Sequence, residues 1–113
     1  MSVQALLPSK IQKAIEALLT NSGRCDPALR QAVEAYAARL SGSDGEAPQI
    51  PEDLMVYVNK VILYAYKVTD QDVQRLKEAG YSEDAIFEIT LCASVGASRA
   101  RLERGLRAVK GGE

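Results

Sequence analysis

Residues 67–109, KVTDQDVQRLKEAGYSEDAIFEITLCASVGASRARLERGLRAV, contain two helix signals separated by a glycine turn. A polar cap at Thr69 begins a short helix that we expect to stop at Gly80, because glycine readily adopts the backbone conformation that ends a helix. Ser82 caps the second helix, which we expect to continue to about Val109. This part of the chain therefore predicts two consecutive helices joined by a tight turn.

Three earlier segments, at residues 9–21, 26–41 and 51–66, also place apolar residues three or four positions apart, as one face of a helix requires. No segment shows the alternation of apolar and polar residues that is typical of a strand. Residues 41–49 carry glycine, serine and proline without any periodicity, which predicts a flexible surface loop. We therefore expect residues 1–113 to form a single all-α domain, a bundle of five helices.

Two of the predicted helices have features of a buried or shared surface. The helix at 51–66 is apolar almost all round, so we expect it to be central or to be shared between subunits. The last helix carries small residues that permit close approach of another helix, and Gly96 among them could allow a kink. These small residues are Ala93, Gly96, Ala97 and Ala100. Together the two features favour a homo-oligomer.

The composition excludes many functions. The chain of 113 residues has a formal charge of −1, which gives no electrostatic basis for binding nucleic acid or an anionic membrane. It has no histidine, so histidine-ligated metal sites and histidine-based nucleophile pairs are excluded. No apolar run approaches the roughly 20 residues that span a bilayer, and the N-terminal residues do not resemble a secretion signal. We expect a cytoplasmic protein without a cofactor or a metal.

Residues 67–109 resemble the carboxymuconolactone decarboxylase and alkylhydroperoxidase D superfamily. The resemblance consists of a helix ending in Ala79 and Gly80, an acidic cap followed by apolar positions at 82–89, an alanine-rich helix, and Arg101 with leucines one and five positions later. It covers roughly the C-terminal half of the chain. It implies a small all-helical protein that assembles as a trimer or a hexamer, with peroxidase or decarboxylase activity.

The chemical groups of that superfamily are missing here. Peroxidase members carry a CxxCxxxH motif, whose positions fall on Ala65, Val68 and Asp72 in this sequence. Their oxidoreductase chemistry needs one thiolate to attack the peroxide and a second thiol to form the disulfide, and neither alanine nor valine can supply a thiol. The resemblance therefore implies the fold and leaves the enzymatic activity open.

Three residues are candidates for catalysis on a small molecule in a pocket between helices. Lys67 and Asp72 occupy the position of the family's active centre, where they could act as acid and base if burial shifted their pKa values. Glu88 lies within a mostly apolar helix and could be a pocket carboxylate, or could pair with Arg101 or Lys60. The alternative for Asp72 and Lys67 is structural, because an acid at a helix start and a base at a helix end favour the helix dipole.

The two cysteines are candidates for redox chemistry, each with a structural alternative. Cys92 has apolar neighbours and is expected to be a small buried side chain. Cys25 precedes the helix cap Asp26, so we expect an exposed thiol.

The basic residues of 99–110 are expected to be a solvated face, with a partner contact as the alternative. The function is then that of a carboxymuconolactone decarboxylase-like protein without thiol peroxidase activity or, alternatively, a non-catalytic helical oligomer that serves as a binding or scaffold protein.

Overall fold

The computed structural model describes residues 9–20 and 25–110. The helices are α1 (Ser9–Thr20), α2 (Pro27–Leu40), α3 (Glu52–Leu63), α4 (Asp70–Glu78) and α5 (Glu83–Val109), with a 3-10 turn at Ala65–Lys67. No residue in the two described ranges belongs to a strand, so the predicted all-α class is confirmed. The side chains of the predicted apolar face of the first helix, and the chain after residue 20 where this helix is predicted to end, lie outside the described part of the chain.

Local signals set most helix boundaries. The Asp26 carboxylate accepts a hydrogen bond of 2.8 Å from the Ala28 N–H at the start of α2, as a helix cap does. Gly80 has a φ of +105°, the left-handed conformation that separates α4 from α5. The predicted extension of the third helix to Tyr66 is wrong. This helix ends at Leu63, because the backbone of Tyr64 leaves the helical region with a φ of −141°.

The centre of the fold is the interface between α2 and α5, which is the most extensive contact between any two described elements. Its buried residues are Val33, Ala37 and Ala38 from α2, and Ile89, Cys92, Ala93, Ala97 and Ala100 from α5. The third helix is thus not the central one in this chain. It buries Leu54, Tyr57 and Val58 against the bundle and leaves Val56 and Leu63 exposed.

The backbones of α2 and α5 approach each other closely at Gly96. A Cβ atom at this position would lie 2.0 Å from the carbonyl oxygen of Glu34 and 3.1 Å from the backbone nitrogen of Ala38. The small side chains of the last helix therefore do receive another helix, as predicted, but this helix is α2 of the same chain. The helix α5 runs unbroken past Gly96, so this glycine provides space for a backbone and does not interrupt the helix.

Candidate functional site

Asp72 is a buried carboxylate at the start of α4. It accepts two hydrogen bonds from Lys60 Nζ, at 2.9 and 3.1 Å, and one of 2.8 Å from the Thr69 backbone N–H. The hydrogen bond to Lys60 and then the one to the Thr69 backbone lower the pKa of Asp72 below its ordinary value. The carboxylate therefore stays ionised at neutral pH. It joins α3 to α4 and caps α4, which is the structural alternative to the predicted catalytic role.

Lys67 does not lie beside Asp72 as the sequence suggests. It is exposed on the 3-10 turn, where its Nζ lies 5.2 Å from the centre of the Tyr64 ring and 5.8 Å from that of the Tyr66 ring. These are cation–π distances. The lysine that pairs with Asp72 is Lys60, which was not predicted for this role because α3 and α4 carry no local pattern that shows which of their residues meet.

A cavity of about 270 Å³ lies beside Asp72. It is lined by Asp53, Val56, Tyr57, Asp72 and Arg75 from α3 and α4. This volume is close to the lower limit of roughly 300 Å³ for small-molecule sites. The cavity thus places a predicted site residue, Asp72, in the wall of a space of nearly that size.

Glu88 is a residue of α5 whose side chain contacts the start of α2. One of its carboxylate oxygens accepts a hydrogen bond of 3.2 Å from the Cys25 backbone N–H and lies 3.9 Å from Arg30 Nε. The ion pair with Arg30 differs from the predicted pairing with Lys60 or Arg101. Lys60 is instead bound to Asp72. These contacts attach the segment before α2 to α5, so Glu88 has a structural role at the ends of two helices.

Both cysteine thiols are buried, which corrects the prediction of an exposed Cys25. Cys25 donates a hydrogen bond of 3.5 Å to the Ala85 carbonyl oxygen, because the chain enters α2 directly against the first turn of α5. Burial, and then the charge of Glu88, raise the pKa of Cys25. Burial raises the pKa of Cys92 to about 11. Because the thiolate is the nucleophile in peroxide reduction, neither thiol is suited to it at neutral pH.

A charged network that was not predicted crosses the α2–α5 interface. Arg99 Nε donates a hydrogen bond of 2.7 Å to Glu34 Oε1, and Arg99 also pairs with Glu103 on its own helix. Arg99 is thus not part of the solvated basic face expected for 99–110, whereas Arg101 and Arg104 are exposed. The sequence signal for this contact is the position of Glu34 beside the apolar residues of α2, but this signal does not indicate the partner.

The outer face of α5, opposite to α2, carries exposed apolar side chains towards both ends of the helix, with the exposed Ser94 and Ser98 between them. We use this name for the side of the helix that carries the exposed Phe87, Leu91, Leu102 and Val109. At 3.6 residues per turn, these four side chains fall within an arc of about 60°. An apolar row of this kind, unlike single exposed apolar residues, is typical of an interaction surface.

The described part of the chain has neither a cluster of metal-ligating side chains nor a helix that could span a membrane. Among residues 9–20 and 25–110, no three metal-ligating side chains come together. In the same ranges, every helix is too short or too polar to cross a membrane. Comparison with known proteins adds no relative, since no family model, curated protein or solved structure matches the chain.

Proposed function

We propose that this protein acts by assembly and not by catalysis, as a homo-oligomeric helical protein whose binding surface is the outer face of α5. The single observation that carries the proposal is the row of exposed apolar side chains on that face. Phe87 is 64% exposed and Val109 is 84% exposed. Water-exposed apolar area of this extent favours association, since burying it is the main source of free energy in most protein complexes.

The state of the ionisable residues supports a non-catalytic role. A general acid or base works best when its pKa lies near the operating pH. Asp72 instead has a lowered pKa and is held by Lys60 and Thr69. The raised pKa values of Cys25 and Cys92 likewise oppose nucleophilic attack on a peroxide.

Membership in the carboxymuconolactone decarboxylase and alkylhydroperoxidase D superfamily is part of this proposal. The chain would be a divergent member in which the helical scaffold and its assembly are kept and the redox chemistry is lost. Ala65 and Val68, at the positions of the motif cysteines, lie at the 3-10 turn before α4. A peroxide-consumption assay with a thiol reductant is then expected to show no more activity than free cysteine. Activity above that level would contradict the loss of redox chemistry.

Light scattering on the full chain tests the assembly. We expect a mass above the 12.2 kDa of one chain, and we expect Leu102→Glu to reduce it towards that value. Leu63→Glu is the matched control, because Leu63 on α3 is 48% exposed and Leu102 is 45% exposed. A monomeric mass up to about 200 µM, well above the range of ordinary specific complexes, would contradict the proposal.

A second candidate function is the binding of a small molecule in the cavity between α3 and α4. Its volume of about 270 Å³ and the buried Asp72 in its wall favour this function. A fragment screen by NMR is expected to shift the amide signals of Tyr57 and Arg75. The substitution Val56→Trp would fill the cavity and abolish the shifts, whereas Met55→Trp, outside the lining, would not. The absence of any shift in the unmodified chain would contradict this candidate.

A further inference from the structure

A second cavity, of about 680 Å³ and open to solvent, lies between the end of α2 and the loop that follows it. Its lining residues are Tyr36, Arg39 and Leu40 from α2 and Gly45, Glu46 and Ala47 from the loop. The volume is within the range of roughly 300–1,000 Å³ that is usual for small-molecule sites. None of the six residues belongs to α5 or to the lining of the cavity beside Asp72, so this cavity is separate from both sites proposed above.

A hydrogen-bonded turn at Gly42 sets the direction in which the loop leaves α2. The Gly42 N–H donates to the Arg39 carbonyl oxygen at 3.2 Å, and the Ser43 N–H donates to the Ala38 carbonyl oxygen at 2.9 Å. These are the two bonds of a Schellman motif, and Gly42 has the left-handed φ, +104°, that the motif requires. The turn allows residues 45–47 to lie beside the last two turns of α2, where they form the loop side of the cavity.

The helix side of the cavity is mainly apolar. Tyr36 is buried, and its hydroxyl donates a hydrogen bond of 2.7 Å to Asn59 Oδ1 on α3, which holds the ring in place. Leu40 is partly buried against the core, and Ala47 adds a methyl group from the loop. Such a surface can bind the hydrocarbon part of a ligand, because the contact removes apolar area from water.

Two charged side chains of opposite sign line this cavity without pairing with each other. Arg39 and Glu46 are both exposed and form no ion pair together. Among the described residues, the Arg39 guanidinium donates one hydrogen bond, of 3.5 Å to the Ser43 carbonyl oxygen, and the Glu46 carboxylate accepts none. These residues therefore leave most of the guanidinium donors and the whole carboxylate for a ligand.

The two charges define the class of ligand. A simple anion would be attracted by Arg39 and repelled by Glu46, and a simple cation would meet the opposite combination. A zwitterion gains from both charges, with its carboxylate on the arginine and its ammonium on the glutamate. Arginine binds carboxylates through two parallel hydrogen bonds, and an ammonium group has three donors for a carboxylate.

We propose that this cavity binds a small zwitterion of the amino-acid type, with its carboxylate on Arg39 and its ammonium on Glu46. Its hydrocarbon part lies against Tyr36 and Leu40. This inference is independent of the proposed function, because the site lies within one chain and away from the outer face of α5. The contacts are two exposed charge pairs and a small apolar area, so we expect a dissociation constant on the order of 1 mM.

An NMR titration of the full chain with L-leucine tests the site. The amide signals of Leu40 and Ala47 are expected to shift and to saturate between about 0.1 and about 20 mM ligand. Arg39→Gln and Glu46→Gln are each expected to weaken the binding of L-leucine about twofold to fivefold, because each removes one exposed charge pair.

The anion 4-methylpentanoate, which is L-leucine without its ammonium group, distinguishes the two charges. Arg39→Gln is expected to weaken its binding as well, whereas Glu46→Gln is expected to strengthen it about twofold because a repelling carboxylate is removed. Opposite effects of one variant on two ligands cannot arise from a general change in the fold. Arg101→Gln and Glu78→Gln are the matched controls, since both positions are exposed and outside the lining, and they are expected to leave both dissociation constants unchanged.

Three outcomes would overturn the inference. The first is the absence of a saturable shift at Leu40 and Ala47 up to about 50 mM L-leucine. The second is an equal effect of Glu46→Gln on the two ligands, which would show that its carboxylate does not bind the ammonium. The third is a set of shifts confined to Tyr57 and Arg75, which would place the ligand between α3 and α4. A monomeric mass in light scattering would contradict the proposed function alone.

Discussion

Replacement of Gly96 by alanine tests the central packing of the fold. The added Cβ would lie 2.0 Å from the Glu34 carbonyl oxygen and 2.9 Å from the Glu34 carbonyl carbon. Since ordinary van der Waals contact begins near 3.4 Å, α2 and α5 would have to separate by about 1.4 Å at this point. Both atoms belong to a helix backbone, so no side chain can move aside to make room.

The expected cost follows from that separation. Overpacking of a core costs about 1–3 kcal/mol. Here the movement would also loosen the contacts of the fully buried Val33, Ala37 and Ala93 along the same interface, which places the cost at the upper end. The higher helix propensity of alanine offsets about 1 kcal/mol of this cost. We expect Gly96→Ala to lower the free energy of unfolding by about 2 kcal/mol.

Gly105→Ala is the matched control, because it makes the same chemical change in the same helix where no atom lies within 4 Å of the added Cβ. Only the gain in helix propensity applies there, so we expect up to about 1 kcal/mol of stabilisation. Urea unfolding followed by circular dichroism, at one chain concentration, measures both variants. If Gly96→Ala stabilised the chain as much as Gly105→Ala, the close approach of α2 and α5 would be refuted.

Three further predictions concern the buried polar groups. Asp72→Asn is expected to destabilise the chain at neutral pH, and its difference from the unmodified chain should shrink between about pH 5 and about pH 3 in urea titrations. The pKa of Asp72 is lower in the native chain than its ordinary value of 3.8, so the ionised carboxylate stabilises the native chain above that pH, and this stabilisation is lost as the native carboxylate takes up a proton. A constant difference in stability over this pH range would argue against the ion pair with Lys60. Cys25 and Cys92 are expected to react with a thiol reagent much more slowly in the native chain than in urea, and equal rates would contradict their burial. Arg99→Met is expected to lower the free energy of unfolding by about 1–2 kcal/mol, measured by thermal unfolding, because it leaves the buried Glu34 without its cation. The control is Arg101→Met at an exposed position, which should change the free energy of unfolding by less than about 0.5 kcal/mol. Similar losses in both variants would contradict the contact with Glu34.

The candidate site shows why prediction from sequence succeeds for some residues and fails for others. The position of Asp72 at the start of α4 was predictable, because a capping acid acts on backbone groups within three residues. Its partner Lys60 lies on another helix, and nothing local distinguishes it from Lys67. For the same reason the sequence offered no indication that Cys25 would be buried against Ala85, 60 positions further along the chain.

The sequence by itself determined the helical class and most helix boundaries, since caps, prolines and turn glycines act on their immediate neighbours. It also determined which chemistry is missing, because a side chain that is absent cannot be provided by folding. Only the tertiary structure decided that Gly96 receives the backbone of α2, that the thiols are buried, and which side of α5 packs against α2. These properties depend on how helices distant in the chain pack together, and no local pattern of residues encodes that arrangement.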